Sequence, residues 1–155
     1  MALVGIHHMC FSVSDIQTTI DFCTDVLGGQ LQSLTPNVYD TLGEALFGTK
    51  WGVQQKHADL MIAVFKIAGQ RIEFIEYRDP KARPFHGNPS IAGASHLAFK
   101  VDDIEAERAR LESHGVQFHS PINTFFEKGS DRMWKWCYFR GPDDLIFELV
   151  QHSDA

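Results

Sequence analysis

Two stretches of this chain nearly repeat one another: HHMCFSVSDI at 7–16 and SHLAFKVDDI at 95–104. Setting His8 on His96 also pairs Phe11 with Phe99, Val13 with Val101, Asp15 with Asp103 and Ile16 with Ile104. A stacked solenoid needs three or more short units, and this repeat is long and occurs twice. What remains is an internal duplication. The two halves must therefore share one fold, and the 155 residues suit one domain or two small modules sharing a core.

Each copy begins as a strand. Successive strand side chains point to opposite faces. His8 thus shares its face with Cys10 and Ser12, while Met9, Phe11 and Val13 form the apolar face. In the second copy Leu97, Phe99 and Val101 are the apolar face, and His96, Ala98 and Lys100 the other. Both histidines point away from the packing face in the same register.

A helix follows each strand. Ser14 with Gln17, and Asp102 with Glu105, read as capping boxes. Ile16, Ile20, Cys23 and Leu27 keep helical spacing up to Gly28-Gly29; the second helix runs from about 103 to 114, with Gly115 as its stop. Strands are then expected at 30–34, 60–67 and 71–77, and again at 116–120, 133–139 and 145–151. Helical turns are expected within 35–59. Each copy reads βαβββ. The fold class is α+β: two tandem modules, 1–78 and 94–152, whose mixed sheets curl around a cleft. The proline- and glycine-rich stretch 79–93 links them.

Composition removes several functions. The net charge is −6 and no basic cluster is present, so the counterion-displacing footprint of a nucleic-acid binder is missing. No apolar run approaches the ~20 residues that span a bilayer, and the N-terminus lacks signal-peptide character. Three cysteines, Cys10, Cys23 and Cys137, at unrelated spacings imply no disulfide framework. A reduced cytoplasmic protein, acting on a small molecule with neither nucleic acid nor membrane, is expected.

The last strand of each copy carries a second coincidence. Glu73 stands between Ile72 and Phe74, and Glu148 between Phe147 and Leu149. If the apolar neighbours pack on a core, each carboxylate points to the opposite face, as the histidines do. Two curled sheets would then bring two imidazoles and two carboxylates together, a set suited to Zn²⁺, Ni²⁺, Co²⁺, Mn²⁺ or Fe²⁺.

With these residues in place the chain resembles the vicinal oxygen chelate superfamily, which includes glyoxalase I, methylmalonyl-CoA epimerase, extradiol dioxygenases and fosfomycin- or bleomycin-resistance proteins. The likeness spans essentially the whole chain. It is densest at HLAFKVDDIEAERARLESHGVQF (96–118) and YFRGPDDLIFELVQ (138–151), which look most like the epimerase branch. By position, the resemblance puts the metal ligands on His8, Glu73, His96 and Glu148. It implies an ion that chelates vicinal substrate oxygens and stabilises an enolate or related anion. Glu148 and Glu73 are then the candidate proton-moving carboxylates, and Glu44 a candidate for the epimerases' additional glutamate. A homodimer is expected because the strand edges of an open βαβββ module need a partner for their unpaired backbone groups. Three departures stand out. MCFSV after His8 lacks the arginine of glutathione-dependent glyoxalases, Glu73 stands where epimerases generally have glutamine, and the usual DPDG turn reads GPDD at 141–144.

Trp134, Trp136 and Tyr138 alternate along one strand face and suit either a substrate pocket or a core. Lys100 shares the face of His96 and suits an anionic substrate or solvent. His7, on the apolar side, is expected to pack or to support His8, whereas His57, His86, His114, His119 and His152 are expected in solvent. Arg71 is placed to neutralise a neighbouring carboxylate. Three functions are consistent with this pattern. The first is an isomerase or lyase working through an enolate. The second is an extradiol-type dioxygenase acting on a catechol, for which Glu73 must stay off the metal so that three positions remain open. The third is a small-molecule binding or resistance protein.

Overall fold

The computed structural model describes residues 2–39, 58–83 and 88–153. Its contacts divide the chain into two compact units, Met1–Pro84 and Phe85–Ala155. Glu44, the expected helical turns around it, His57 and His86 lie outside the described residues.

In the first unit, β1 (Met9–Val13) leads into α1 (Ile16–Asp21), whose last turn widens into π-helical geometry over Phe22–Val26. Strands β2 (Gln30–Tyr39), β3 (Ala58–Ile67) and β4 (Gln70–Asp79) follow. The sheet order is β1-β4-β3-β2, with β1 parallel to β4 and the other pairs antiparallel. The second unit repeats the plan. β5 (His96–Lys100) and α2 (Ile104–Ser113) precede β6 (Asn123–Phe126), β7 (Met133–Arg140) and β8 (Ile146–His152), in the order β5-β8-β7-β6. These are α+β units with one mixed sheet each.

One sheet face in each unit is closed by its helix. Val13, Ile16, Ile20 and Cys23 bury against Phe65, Ile72 and Phe74; in the second unit Ile104 and Leu111 of α2 are buried, as are Cys137, Phe139, Phe147 and Leu149. Burying a side chain of this size contributes roughly 1.5–3 kcal/mol. Gln151 Oε1 accepts the Ile104 N–H at 2.9 Å, so β8 itself holds the start of α2.

Both helix starts fall one residue later than the capping boxes suggest. Asp15 and Asp103 are the N-caps, each in extended backbone and each accepting a 2.9 Å bond from the amide three residues on. A short carboxylate satisfies an otherwise orphaned amide and carries the charge favoured at that helix end. The helix ends also differ. Left-handed Gly28 and Gly115 close them, but the first copy carries one residue more between cap and glycine. A π-helical turn accommodates such an insertion, and Phe22–Val26 takes it up. Gly29 then passes so close to the sheet that an added Cβ would lie 2.9 Å from both the Cys23 carbonyl oxygen and Ile67 Cγ1.

The strand expected at 116–120 is the main departure. Phe118 makes only an isolated bridge to Phe139, and the edge strand lies later, at Asn123–Phe126. Segment 118–120 spends its groups elsewhere: Arg108 reaches the Ser120 carbonyl at 3.0 Å, and Ser120 Oγ accepts the Tyr138 N–H at 2.9 Å. Pro121 follows at once and has no amide hydrogen to extend a ladder.

Candidate active site

The register places the sequence's candidates. β1 runs parallel to β4 with Cys10 opposite Glu73, so His8, just before β1, and Glu73 share the sheet face turned away from α1. In the second unit Ala98 lies opposite Glu148, and His96 shares that face. His8 Nε2 is 3.6 Å from Glu73 Oε2, and His96 Nε2 is 3.0 Å from Glu148 Oε2. Each carboxylate sits deep, at 15% and 12% side-chain exposure, beneath a more open imidazole.

Different neighbours surround the two pairs. Arg71 Nη2 binds Glu73 Oε1 at 3.0 Å, neutralising that carboxylate from its own strand. Of the two roles expected for His7, the structure shows support of His8 rather than packing: it is exposed, and its Nδ1 lies 2.8 Å from His8 Nδ1. Strand β1 begins only at Met9, so alternation does not extend back to position 7. The Cys10 thiol is pushed up to about 11 by desolvation, with the Glu73 charge adding to the effect. It is therefore a protonated thiol at neutral pH, unlike an activated nucleophile.

Glu148 instead meets Tyr138, directly across the β7–β8 ladder. Burial, the Glu148 charge and a hydrogen bond to Glu148 raise the Tyr138 hydroxyl above its ordinary value. The phenol is thus a donor to the carboxylate. The His96 ring meets Tyr138 edge-on at 5.8 Å. His119 is exposed, as expected, and its ring also stacks on Tyr138 at 6.2 Å; its pKa is lowered by desolvation and by Arg140. His152 likewise lies on β8 against Trp134, 5.1 Å between ring centres.

A cavity of about 710 Å³ opens on this face, and Trp136, Tyr138 and Glu148 line it together with Trp134. Among the described residues Phe125, Glu127 and Val150 also line it; none of them was singled out by the sequence. Val150 follows from period-two alternation after Glu148. Phe125 was hidden because β6 begins at Asn123, which sets it opposite Trp134. Lys100 is exposed on β5, opposite Val150, and is not among the lining residues.

Family comparison agrees with this geometry. Residues 5–149 match the family model of the glyoxalase/bleomycin resistance protein/dioxygenase superfamily. The chain belongs to that superfamily. It is 31% identical over 153 residues to the uncharacterized protein YaeR of Escherichia coli, covering 97% of this chain and 98% of that one. It is 28% identical over 154 residues to a 2-epi-5-epi-valiolone epimerase of an Actinomyces species, covering 95% and 79%. Among solved structures, a Bacillus cereus glyoxalase-family protein superposes with a TM-score of 0.77 at 19% identity, covering 99% and 97%. A glutamate-to-glutamine mutant of the fosfomycin resistance protein FosX of Listeria monocytogenes, complexed with Mn(II) and 1S,2S-dihydroxypropylphosphonic acid, superposes with a TM-score of 0.61 at 17% identity, covering 96% and 90%. The fold is the glyoxalase-like fold.

The donor chemistry of each pair suits a transition metal. Two donors about 2.1 Å from one ion lie about 3.0 Å apart at a right angle and about 3.4 Å apart at the tetrahedral angle. The observed 3.0 and 3.6 Å fall close to those values. Among the described residues no three His, Cys, Asp or Glu side chains gather at one point; the structure shows the two pairs separately.

Proposed function

We propose that His8, Glu73, His96 and Glu148 hold one divalent ion between them, and that the protein is a metal-dependent isomerase, epimerase or lyase acting on a small carbonyl or acyl substrate. The observation that carries this reading is the paired contact, imidazole on carboxylate, at matched positions of a duplicated fold. A bound Zn, Ni, Co, Mn or Fe ion would act as a Lewis acid, chelating vicinal substrate oxygens and easing ionisation of the adjacent C–H. The similarity to an epimerase, and the Mn(II) in the FosX structure, support that chemistry.

The chain's own residues divide the remaining work. Both histidines present Nε2 to their carboxylates, the nitrogen each would offer to the ion. Glu73 is braced by Arg71 and serves mainly as an anchor. Glu148 lines the cavity and accepts the Tyr138 hydrogen bond, which supports it as the carboxylate that takes and returns a substrate proton once it loosens from the ion. Tyr138 positions it.

One observation favours a second reading. The Arg71 bond at 3.0 Å can hold Glu73 off the ion, leaving two histidines and Glu148 as the three-ligand set that an extradiol-type dioxygenase requires. Solvent-deuterium exchange separates the two. In the first case a suitable carbonyl substrate exchanges its α-hydrogen in the presence of metal and without oxygen. Oxygen uptake by the iron-loaded protein with a catechol, and no exchange with any carbonyl compound, would establish the second.

A further inference from the structure

The cavity beside Glu148 has a composition that narrows its occupant. Trp134, Trp136 and Tyr138 stand at alternate positions of β7 and present one aromatic wall, with Phe125 of β6 opposite Trp134. Val150 fills the floor next to Glu148. Among the described residues, the only charged lining groups are carboxylates, Glu127 and Glu148. Glu127 is already satisfied: Ser130 Oγ donates to it at 2.9 Å and Arg132 lies 3.8 Å away.

The duplicated half supplies a built-in control. There the positions facing Glu73, Ile75 and Tyr77 across the ladder are Val64, Ile62 and Leu60. The equivalent positions facing Glu148, Val150 and His152 are Tyr138, Trp136 and Trp134. The shared fold accepts aliphatic residues here, so packing alone does not demand aromatic ones. Aromatic rings add a flat, polarisable surface and little conformational entropy on binding.

We propose that the substrate carries, beside its chelating oxygens, an uncharged aromatic group that stacks between Trp136, Trp134 and Phe125. This rests on the metal-chelating function above and names the substrate class for it. A terminal phosphate, sulfonate or carboxylate on that arm would face two carboxylates and an apolar wall with no basic group among the described lining residues to receive it. A cationic arm finds Glu127 already paired. A neutral ring gains stacking and burial without desolvating a charge. The cavity, at about 710 Å³, has room for a bicyclic ring.

Titration calorimetry on the full chain tests this with two matched series. One series is hydroxamates, which chelate through vicinal oxygens: 2-naphtho-, acetyl-, 6-sulfo-2-naphtho- and 6-trimethylammonio-2-naphthohydroxamate, titrated into Zn²⁺-loaded protein. The other is the corresponding carboxamides, which do not chelate, titrated into metal-free protein. In both series the neutral naphthyl probe should bind at least about tenfold more tightly than the acetyl probe. It should also bind at least about tenfold more tightly than the sulfonate, and no more weakly than the ammonium probe. Trp136→Leu should remove the aryl advantage while leaving acetohydroxamate affinity unchanged, and Trp136→Phe should restore part of it. Phe125→Leu, at an exposed position, repeats the test where Trp136→Leu fails to fold. Equal binding of naphthyl and acetyl probes, or preference for a charged arm, overturns the proposal. Hydroxamates that bind no better than carboxamides would instead overturn the metal reading, and the carboxamide series would still decide the aryl group.

Discussion

The first and second units are the same machine with different surroundings. Both bring a histidine from the start of a strand onto a glutamate of the parallel neighbour, at 3.6 Å in the first and 3.0 Å in the second. Two residues before Glu73 stands Arg71, which binds it; two residues before Glu148 stands Ile146, which is buried. Across the ladder Glu73 meets Val64, whereas Glu148 meets Tyr138 and an open aromatic cavity. The duplication kept what the backbone must supply, one imidazole and one carboxylate per module. Around that constant pair the neighbours diverged, an arginine beside Glu73 and an aromatic cavity beside Glu148, and the proposed division into anchor and base rests on that difference.

Substitutions that break this division should rank by how directly they touch the second unit's carboxylate. Glu148→Gln keeps the volume and one oxygen donor but removes the base. Turnover should fall about 10²–10⁴-fold with metal content largely retained, measured by steady-state kinetics beside metal analysis. Glu73→Gln is the matched change in the first unit and should retain far more activity. Equal losses would erase the proposed asymmetry.

A smaller effect is expected where the two copies differ in length. Gly29 follows the π-helical turn of the first unit, and a side chain there meets backbone and Ile67 at 2.9 Å. Gly29→Ala should cost about 1–3 kcal/mol in denaturant unfolding, the usual range for overpacking. The smallest effect belongs to the brace. Arg71→Met frees Glu73 of its ion pair, and competitive chelator titration should show metal affinity rising by a few-fold, since a partly exposed pair contributes about 1 kcal/mol or less. A drop in affinity would mean that Arg71 positions Glu73 for the ion rather than competing with it.

Much of this was legible in the chain itself, for a physical reason. Strand alternation is strictly local, so His8, His96, Glu73 and Glu148 could be assigned to the face away from the helices without tertiary information, and β1, β4, β5 and β8 bear that out. Long-range choices were not legible. The alternating residues of 116–120 look like a strand, yet Arg108 and Tyr138 take their groups and Pro121 ends them, so pairing moves to Asn123. That shift concealed Phe125 and Glu127. His119 is exposed as expected, but its ring contact with Tyr138 was hidden for the same reason, since it depends on where the segment crosses β7. The helix starts slipped by one residue because Ser14 and Asp15 are both competent caps, and the sequence alone does not say which backbone turns extended.

The central claim is that the two pairs act as one centre, and metal stoichiometry tests it most directly. Protein stripped of metal and titrated with Zn²⁺ should bind one tight ion per chain, and His8→Ala and His96→Ala should each abolish that single event. Two independent ions per chain, with each substitution removing only one of them, would contradict it.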